Sequence, residues 1–383
     1  MTSITNINSS NSDTKLNTSI EGCPSCQSKS MSHVIGILPG EGIGPKIIDV
    51  TLNILDIISQ YTNRKFEIKT GGDIGCPAQD KHGVALTSEV KQFCNNIFNA
   101  NGALLCGAGG ARFVYDLRTE FDLFCKFTPL QPFTELNDTG VLKPEAKQLV
   151  DIIAVRENIS GAYFGEWGLD SDNNAYHHIH YNKKDIKRII DTAIRLSLLR
   201  NKKITLVTKK DGMPSISKLW QDIFTESASQ YDVTFNILDI DHTAYQLIAS
   251  AKDFDVIVSP NLFGDILADC GALLLGSRGM SYSGNFNSKG HAVFQTGHGA
   301  AYDLAGKDIA NPIGQILSLC MLLRESFGLT SLASEVEHAI RKTLSKGIRT
   351  SDIATVDSQL VGTIEMGQHI IDTLQRQLST TAA

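Results

Sequence analysis

The sequence predicts an α/β architecture built on a largely parallel sheet, and three observations carry that expectation. Over residues 204–275, short apolar runs suited to strands alternate with longer runs of helical period, which is the pattern of repeated βα units. Nearer the start, the apolar run Val34-Ile35-Gly36-Ile37-Leu38 passes through a glycine-rich turn into an amphipathic stretch. The chain's 383 residues also exceed one ordinary core, so two domains or one large composite domain are expected.

The elements follow in order. Residues 1–30 are rich in Ser, Thr and Asn, show no hydrophobic period and read as a disordered tail. They hold neither a basic start with an apolar run behind it nor an arginine, so no secretory or organelle signal is expected. Order is expected from Val34. Pro39-Gly40-Glu41-Gly42-Ile43-Gly44-Pro45 forms the turn, and Pro45 suits the first position of a helix. Ile47, Ile48, Leu52, Leu55 and Ile58 then recur near 3.6 spacing. Strands are expected over 204–207, 233–238 and 254–259, and helices over 215–229, 242–251 and 263–275. From Asn311 onward the chain reads as mainly helical, and no internal repeat is visible.

Composition narrows the function classes. A hydrophobic fraction of 42% with 20% charged residues is globular. The formal net charge of −6 speaks against a general nucleic-acid surface. No apolar run approaches the length of a membrane span. The eight cysteines are scattered, several inside apolar runs, which suits reduced and mostly buried thiols in a cytoplasmic protein. Cys23-Pro-Ser-Cys26 has metal or redox spacing, but no second such pair follows to complete a four-ligand zinc site.

Two segments carry chemical suggestions. The first glycine turn invites a Rossmann reading, yet Pro45 sits where the third glycine of Gly-x-Gly-x-x-Gly belongs. A tight strand-to-helix connection explains it as well. The second segment is Asn261-Leu262-Phe263-Gly264-Asp265-Ile266-Leu267-Ala268-Asp269. On a helix, Asp265 and Asp269 face one way. Like charges so placed repel unless a cation lies between or beside them. Ile266, Leu267, Leu273 and Leu274 nearby make this no simple solvated face. A hard divalent cation held by oxygen ligands accounts for the pair; two acids on an amphipathic surface helix are the alternative.

This segment resembles the metal-binding helix of the isocitrate/isopropylmalate dehydrogenase family of β-decarboxylating dehydrogenases. Three further stretches agree in the same order: Gly40 to Pro45 with the opening loop, Val155-Arg156-Glu157 to Gly161-Ala162-Tyr163-Phe164-Gly165 with the arginine and tyrosine segment, and His298 to Lys307 with Ile309-Ala310-Asn311-Pro312 with the cofactor loop. The likeness covers about residues 33–375. It implies an α/β/α fold, not a Rossmann fold, with large and small domains around a central cleft. Its expected divisions are a tail over 1–32, the large domain over 33–130 and 271–383, and a small domain with dimer contacts over 131–270.

The resemblance also implies roles. Asp265 and Asp269 become ligands of Mg2+ or Mn2+, with Asp241 supplied by the partner of a homodimer and Asp239 a close competitor. Tyr163 becomes the proton donor to an enolate. Lys209 becomes the group that assists removal of the hydroxyl proton, with Lys210 beside it as the other match. Arg118 and Arg156 match two of three substrate arginines. Thr128 stands where the third belongs, and Lys126, on the same side if this segment is a strand, offers a replacement charge. His298, Gly299, Ala300, Asp303 and Asn311 match the cofactor loop. Asp303 favours NAD over NADP, because a carboxylate accepts from ribose hydroxyls and repels a 2′-phosphate. Tyr302 replaces a usual proline, and Gln295 stands where many members have Glu.

The implied activity is NAD-dependent, metal-dependent oxidative decarboxylation of a 3-substituted malate-type 2-hydroxy acid. The stretch 112–116 lacks both the Ser and Asn of isocitrate enzymes and the leucine pair of isopropylmalate enzymes, so the acid itself is left open. The alternative is a catalytically weak or regulatory member of the family, which the loss of arginine at Thr128 favours and the retention of Tyr163, Lys209, Asp265 and Asp269 opposes.

Overall fold

The computed structural model describes residues 16–21 and 32–381. β1 (Ser32–Leu38) enters the glycine-rich turn and α1 (Gly44–Tyr61), with Pro45 in the first helical turn and Ile47, Ile48, Leu55 and Ile58 buried. β2 (Lys65–Thr70), α2 (Cys76–His82) and α3 (Ser88–Asn99) lead to β3 (Ala103–Cys106). α4 (Phe113–Glu120) precedes β4 (Cys125–Leu130), and α5 (Pro144–Lys147) precedes β5 (Ile152–Glu157). A hairpin arm follows, β6 (Trp167–Leu169) with β7 (Ala175–His177). The expected alternation then appears as α6 (Lys183–Leu198), β8 (Lys203–Thr208), α7 (Pro214–Ala228), β9 (Thr234–Asp239), α8 (Ile240–Ala249), β10 (Val256–Ser259) and α9 (Asn261–Gly271). After β11 (Tyr282–Phe286) and β12 (Ala292–Thr296) the chain is mainly helical, as expected: α10 (Ile313–Glu325), α11 (Thr330–Leu344), the short pair β13 (Ile348–Arg349) and β14 (Gln359–Leu360), and α12 (Thr363–Thr381).

Ten strands form one sheet in the order β2-β1-β3-β12-β11-β4-β5-β10-β8-β9. β2, β1, β3 and β12 are parallel to one another, as are β5, β10, β8 and β9. The two blocks run in opposite directions and are joined through antiparallel β11 and β4. A largely parallel sheet therefore holds within each block, and the centre is a correction. β4 and β5 are buried at every position, so no alternation of polar and apolar residues marks their direction. This junction positions the site, because Lys126 of β4 faces Arg156 of β5 across the ladder.

The expected tail is also corrected in part. Leu16–Ser19 form a 3-10 turn against α6, with Leu16 and Ile20 buried in the main core. Asn17 N donates to Glu325 Oε2 at 3.1 Å, and Arg195 Nε donates to Ser19 O at 2.6 Å. Cys23 and Cys26 lie outside the described residues. The cysteines within them are free thiols, with Cys94, Cys106, Cys125 and Cys320 buried. No described helix is long and apolar enough to cross a membrane.

Candidate active site

The site is assembled on β5 and α9. Gly264 lets the helix lie directly on the strand: a Cβ there would stand 2.6 Å from Ser259 Oγ and 2.8 Å from Arg156 Cβ. Arg156, buried beneath, donates from Nε and an Nη to Asn261 Oδ1 at 3.0 and 2.8 Å. Its other Nη is paired with Asp265. Tyr163, on a 3-10 turn after β5, donates its hydroxyl to Asp265 Oδ2 at 2.7 Å. Burial opposes ionisation of Asp265, yet Arg156, the Tyr163 hydrogen bond, Lys126 and Arg118 together hold its carboxyl below the usual value. Burial and the Asp265 carboxylate push the Tyr163 phenol the other way, so it keeps its proton well above neutral pH. Glu157, pushed up to about 7 by burial, accepts from the backbone N–H groups of Ile159 and Ser160 and so shapes the turn that presents Tyr163.

The two carboxylates of α9 do face one way, and the cations beside them in this structure are arginines. Asp265 has Arg156, and Asp269 has Arg278 at 2.9 Å. Both remain partly exposed toward solvent. Among the described residues no three acidic, His or Cys side chains converge. The donor set is nonetheless hard oxygen on one helical turn, which fits a divalent ion that takes its further ligands from elsewhere.

Those further oxygens are not supplied by the chain's own Asp241. Asp241 accepts from Lys209 Nζ at 2.5 Å, and Asp239 lies 3.9 Å from the same ammonium. Neither bonds to Asp265 or Asp269. Lys209, and not Lys210, makes this ion pair, whereas Lys210 gives only its backbone N–H to Asp239 Oδ1 at 3.0 Å. The hydrogen bond to Asp241 raises the Lys209 ammonium, the opposite of what a base requires.

Beside Arg156 opens a cleft of about 170 Å³, bordered by Gly107, Val114, Tyr115, Arg118, Lys126, Asp265, Gln295 and the stretch 296–299. α4 presents Val114, Tyr115 and Arg118 on one face, at helical spacing. Burial, reinforced by the charge of Arg156, pushes Arg118 down to about 9 and Lys126 well below its ordinary value. Thr128 is buried further along β4, opposite Ala154, and does not border the cleft.

The expected cofactor loop closes the other side. Gly42 has φ +62°, and a Cβ there would meet Ala300 O at 2.0 Å, so only glycine admits the contact between opening loop and cofactor loop. Ile43 N donates to Ala300 O at 2.9 Å. His298 Nδ1 contacts Gly299 O at 2.9 Å, while its buried Nε2 has no partner among the described residues. Asp303 is exposed. Asn311 is spent internally: it donates to Asp352 Oδ2 at 3.1 Å and accepts from Ile313 N at 2.9 Å. Tyr302 donates to buried Glu41 at 2.6 Å, tying the two loops together.

Three neighbours were not foreseen. Arg112 donates to Tyr163 O at 3.0 Å, with its guanidinium 5.0 Å from the Tyr115 ring and 4.7 Å from the Trp167 ring. Tyr115 packs 5.2 Å from the Tyr163 ring. Arg278 neutralises Asp269. Arg112 and Tyr115 lie in the stretch 112–116 that precedes Arg118, and Arg278 is the first cation after α9.

In sequence and fold the chain is similar to known proteins. A family model described as isocitrate/isopropylmalate dehydrogenase matches residues 34–370. A 3-isopropylmalate dehydrogenase of Clostridium acetobutylicum is 38% identical over 359 residues, covering 88% of this chain and 98% of that protein. One from Pseudomonas syringae pv. tomato is 37% identical over 363 residues, covering 90% and 99%. The crystal structure of isocitrate dehydrogenase from Methylococcus capsulatus matches with a TM-score of 0.78 at 29% identity, covering 90% of this chain and 99% of that one. The TT0538 protein of Thermus thermophilus matches at 0.77 and 26% identity, covering 89% and 68%.

Proposed function

Since the chain belongs to the isocitrate/isopropylmalate dehydrogenase family, we propose that it oxidises and decarboxylates a 3-substituted malate-type 2-hydroxy acid, with NAD as oxidant and Mg2+ or Mn2+ as the ion. It is a decarboxylating dehydrogenase by family. The hydrogen-bonded set Arg156–Asp265–Tyr163 at the head of the cleft carries the reading. It combines a fixed guanidinium, a hard oxygen ligand and a phenol that keeps its proton. The orphaned His298 Nε2 and the exposed Asp303 suit a dinucleotide in the adjoining loop. NAD held beside His298 and Asp303 would supply the hydride acceptor for C2, and an ion held by Asp265 and Asp269 would supply Lewis acidity at the C2 oxygen.

The chain's own groups do the rest. Arg118 and Arg156 bind and orient the carboxylates. Tyr163 gives its proton to the carbon left as an enolate once CO2 departs. Lys209 takes the C2 hydroxyl proton, and it does so in the site of a second copy. The hydrogen bond from Lys209 to Asp241 favours the ammonium, so Asp241 acting instead as an oxygen ligand for the ion would lower the affinity of Lys209 for its proton. The homodimer, the cytoplasmic setting and the division into domains 33–130 with 271–383 and 131–270 belong to the same proposal. Lys126 in the cleft weakens the one argument for a silent paralogue, because a cation still stands near the lost arginine.

Subunit complementation tests the shared site. Tyr163→Phe and Lys209→Met are each nearly inactive alone. Unfolded and refolded together, half the dimers are mixed, and each mixed dimer holds one intact site. Recovery of about one quarter of wild-type activity is expected from that symmetry. No recovery places Tyr163 and Lys209 in the same subunit's site.

A further inference from the structure

Two cations in the cleft lack a counter-charge of their own. Arg118 is 5% exposed and Lys126 is 7% exposed, and neither side chain has a hydrogen bond or ion pair among the described residues. The acid beside them, Asp265, is already engaged by Arg156 and Tyr163. A buried charge without a counter-charge is costly, and a fold keeps one where a ligand supplies the counter-charge. The register shows how Lys126 comes to be there. It faces Arg156 on one side and Asn285 of β11 on the other, at the cleft end of β4. Thr128 lies two residues along the same strand face, outside the cleft.

Resting on the dehydrogenase reading above, we propose that Lys126 is a specificity-determining residue that, jointly with Arg118, grips one carboxylate of a dicarboxylate substrate. Arg156 takes the hydroxy-acid end, together with the ion that the carboxylates of α9 would hold. The cleft then demands two anionic groups on one ligand, and a monocarboxylate 2-hydroxy acid leaves Lys126 and Arg118 buried and uncompensated. Lysine also changes the manner of recognition. An ammonium is a point charge with rotating donors, where a guanidinium is a planar fork. The gripped carboxylate is therefore held by position more than by orientation, and tolerance toward different substituents on the neighbouring carbon follows.

Binding of malate and of lactate to the full chain, by calorimetry with Mg2+ present and NAD absent, tests this apart from turnover. Wild-type protein should bind malate far more tightly than lactate. Lys126→Met should weaken malate by about 10-fold to 100-fold, the loss of one charged hydrogen bond, and leave lactate little changed. Without ligand its melting temperature should be equal or higher, because an uncompensated buried charge has gone. Lys126→Arg, which keeps the charge, should bind malate more tightly than the Met variant. With the reactive substrate, KM should rise in the Met variant more than kcat falls. A Met variant that binds malate as wild type does overturns the proposal. So does one that melts lower with its malate-induced rise intact, since Lys126 is then only structural. If no hydroxy acid is turned over but the malate effect of Lys126 stands, the dehydrogenase reading alone fails. If turnover is found and the Met variant is indistinguishable from wild type, this inference alone fails.

Discussion

Removal of a single hydroxyl at Tyr163 probes the chemistry with little cost to the structure. The ring packs 5.2 Å from Tyr115 and 5.6 Å from the Arg156 guanidinium, and neither contact uses the hydroxyl. In Tyr163→Phe, Asp265 loses the 2.7 Å bond from the phenol but keeps Arg156. Substrate and metal affinity should therefore change little, with KM within about 3-fold of wild type. On the proposed mechanism the loss falls on protonation of the enolate. A positioned general acid is worth about 100-fold to 10,000-fold, or roughly 3–5 kcal/mol of barrier. Steady-state kcat should fall by that amount. Because oxidation precedes protonation, stopped-flow mixing should still show a burst of NADH near one equivalent per site, followed by a slow phase. A kcat within 10-fold of wild type would refute the role of Tyr163 as proton donor, and so would an equal loss of burst and turnover.

Two further outcomes are expected. Asp265→Asn should raise the Mg2+ or Mn2+ concentration for half-activation by at least the roughly 10-fold to 100-fold typical of outer partners in metal sites. Its fold should survive, since Asn261 still holds Arg156 at 2.8 and 3.0 Å; unchanged metal titration curves would show that this face of α9 binds no ion. Asp303→Lys should cut the ratio of NAD to NADP efficiency by about 10-fold or more, because one tenfold step needs only about 1.4 kcal/mol and a repelling carboxylate becomes an attracting ammonium. A wild-type preference for NADP would displace Asp303 from the role proposed for it.

Features with a local physical cause were legible in the sequence. The glycine-rich turn leads into α1, and Pro45 starts the helix. The four-residue spacing of Asp265 and Asp269 fixes their common face once α9 is helical. The α/β alternation after residue 203 follows from hydrophobic period. What escaped depends on distant partners. Arg156 lies over a hundred residues before the carboxylate it neutralises, so the charge balance on α9 could not be read from its own spacing. The antiparallel centre escaped because strands buried on both faces have no polar side to mark direction. The docked turn at Leu16 escaped because two apolar residues in a Ser- and Asn-rich stretch carry almost no periodic signal. Lys126 shares a face of β4 with Thr128, and only the register with β5 and β11 shows that it, and not Thr128, borders the cleft.

The central claim is coupled oxidation and decarboxylation, and it is tested most directly by following NADH and CO2 together. The full-length protein with NAD and Mg2+ or Mn2+ is offered a panel of 3-substituted malates, isopropylmalate and isocitrate among them. At least one acid should yield NADH and CO2 in equal amounts, with both products absent once the metal is chelated. NADH without CO2, or neither product from any acid in the panel, would contradict it.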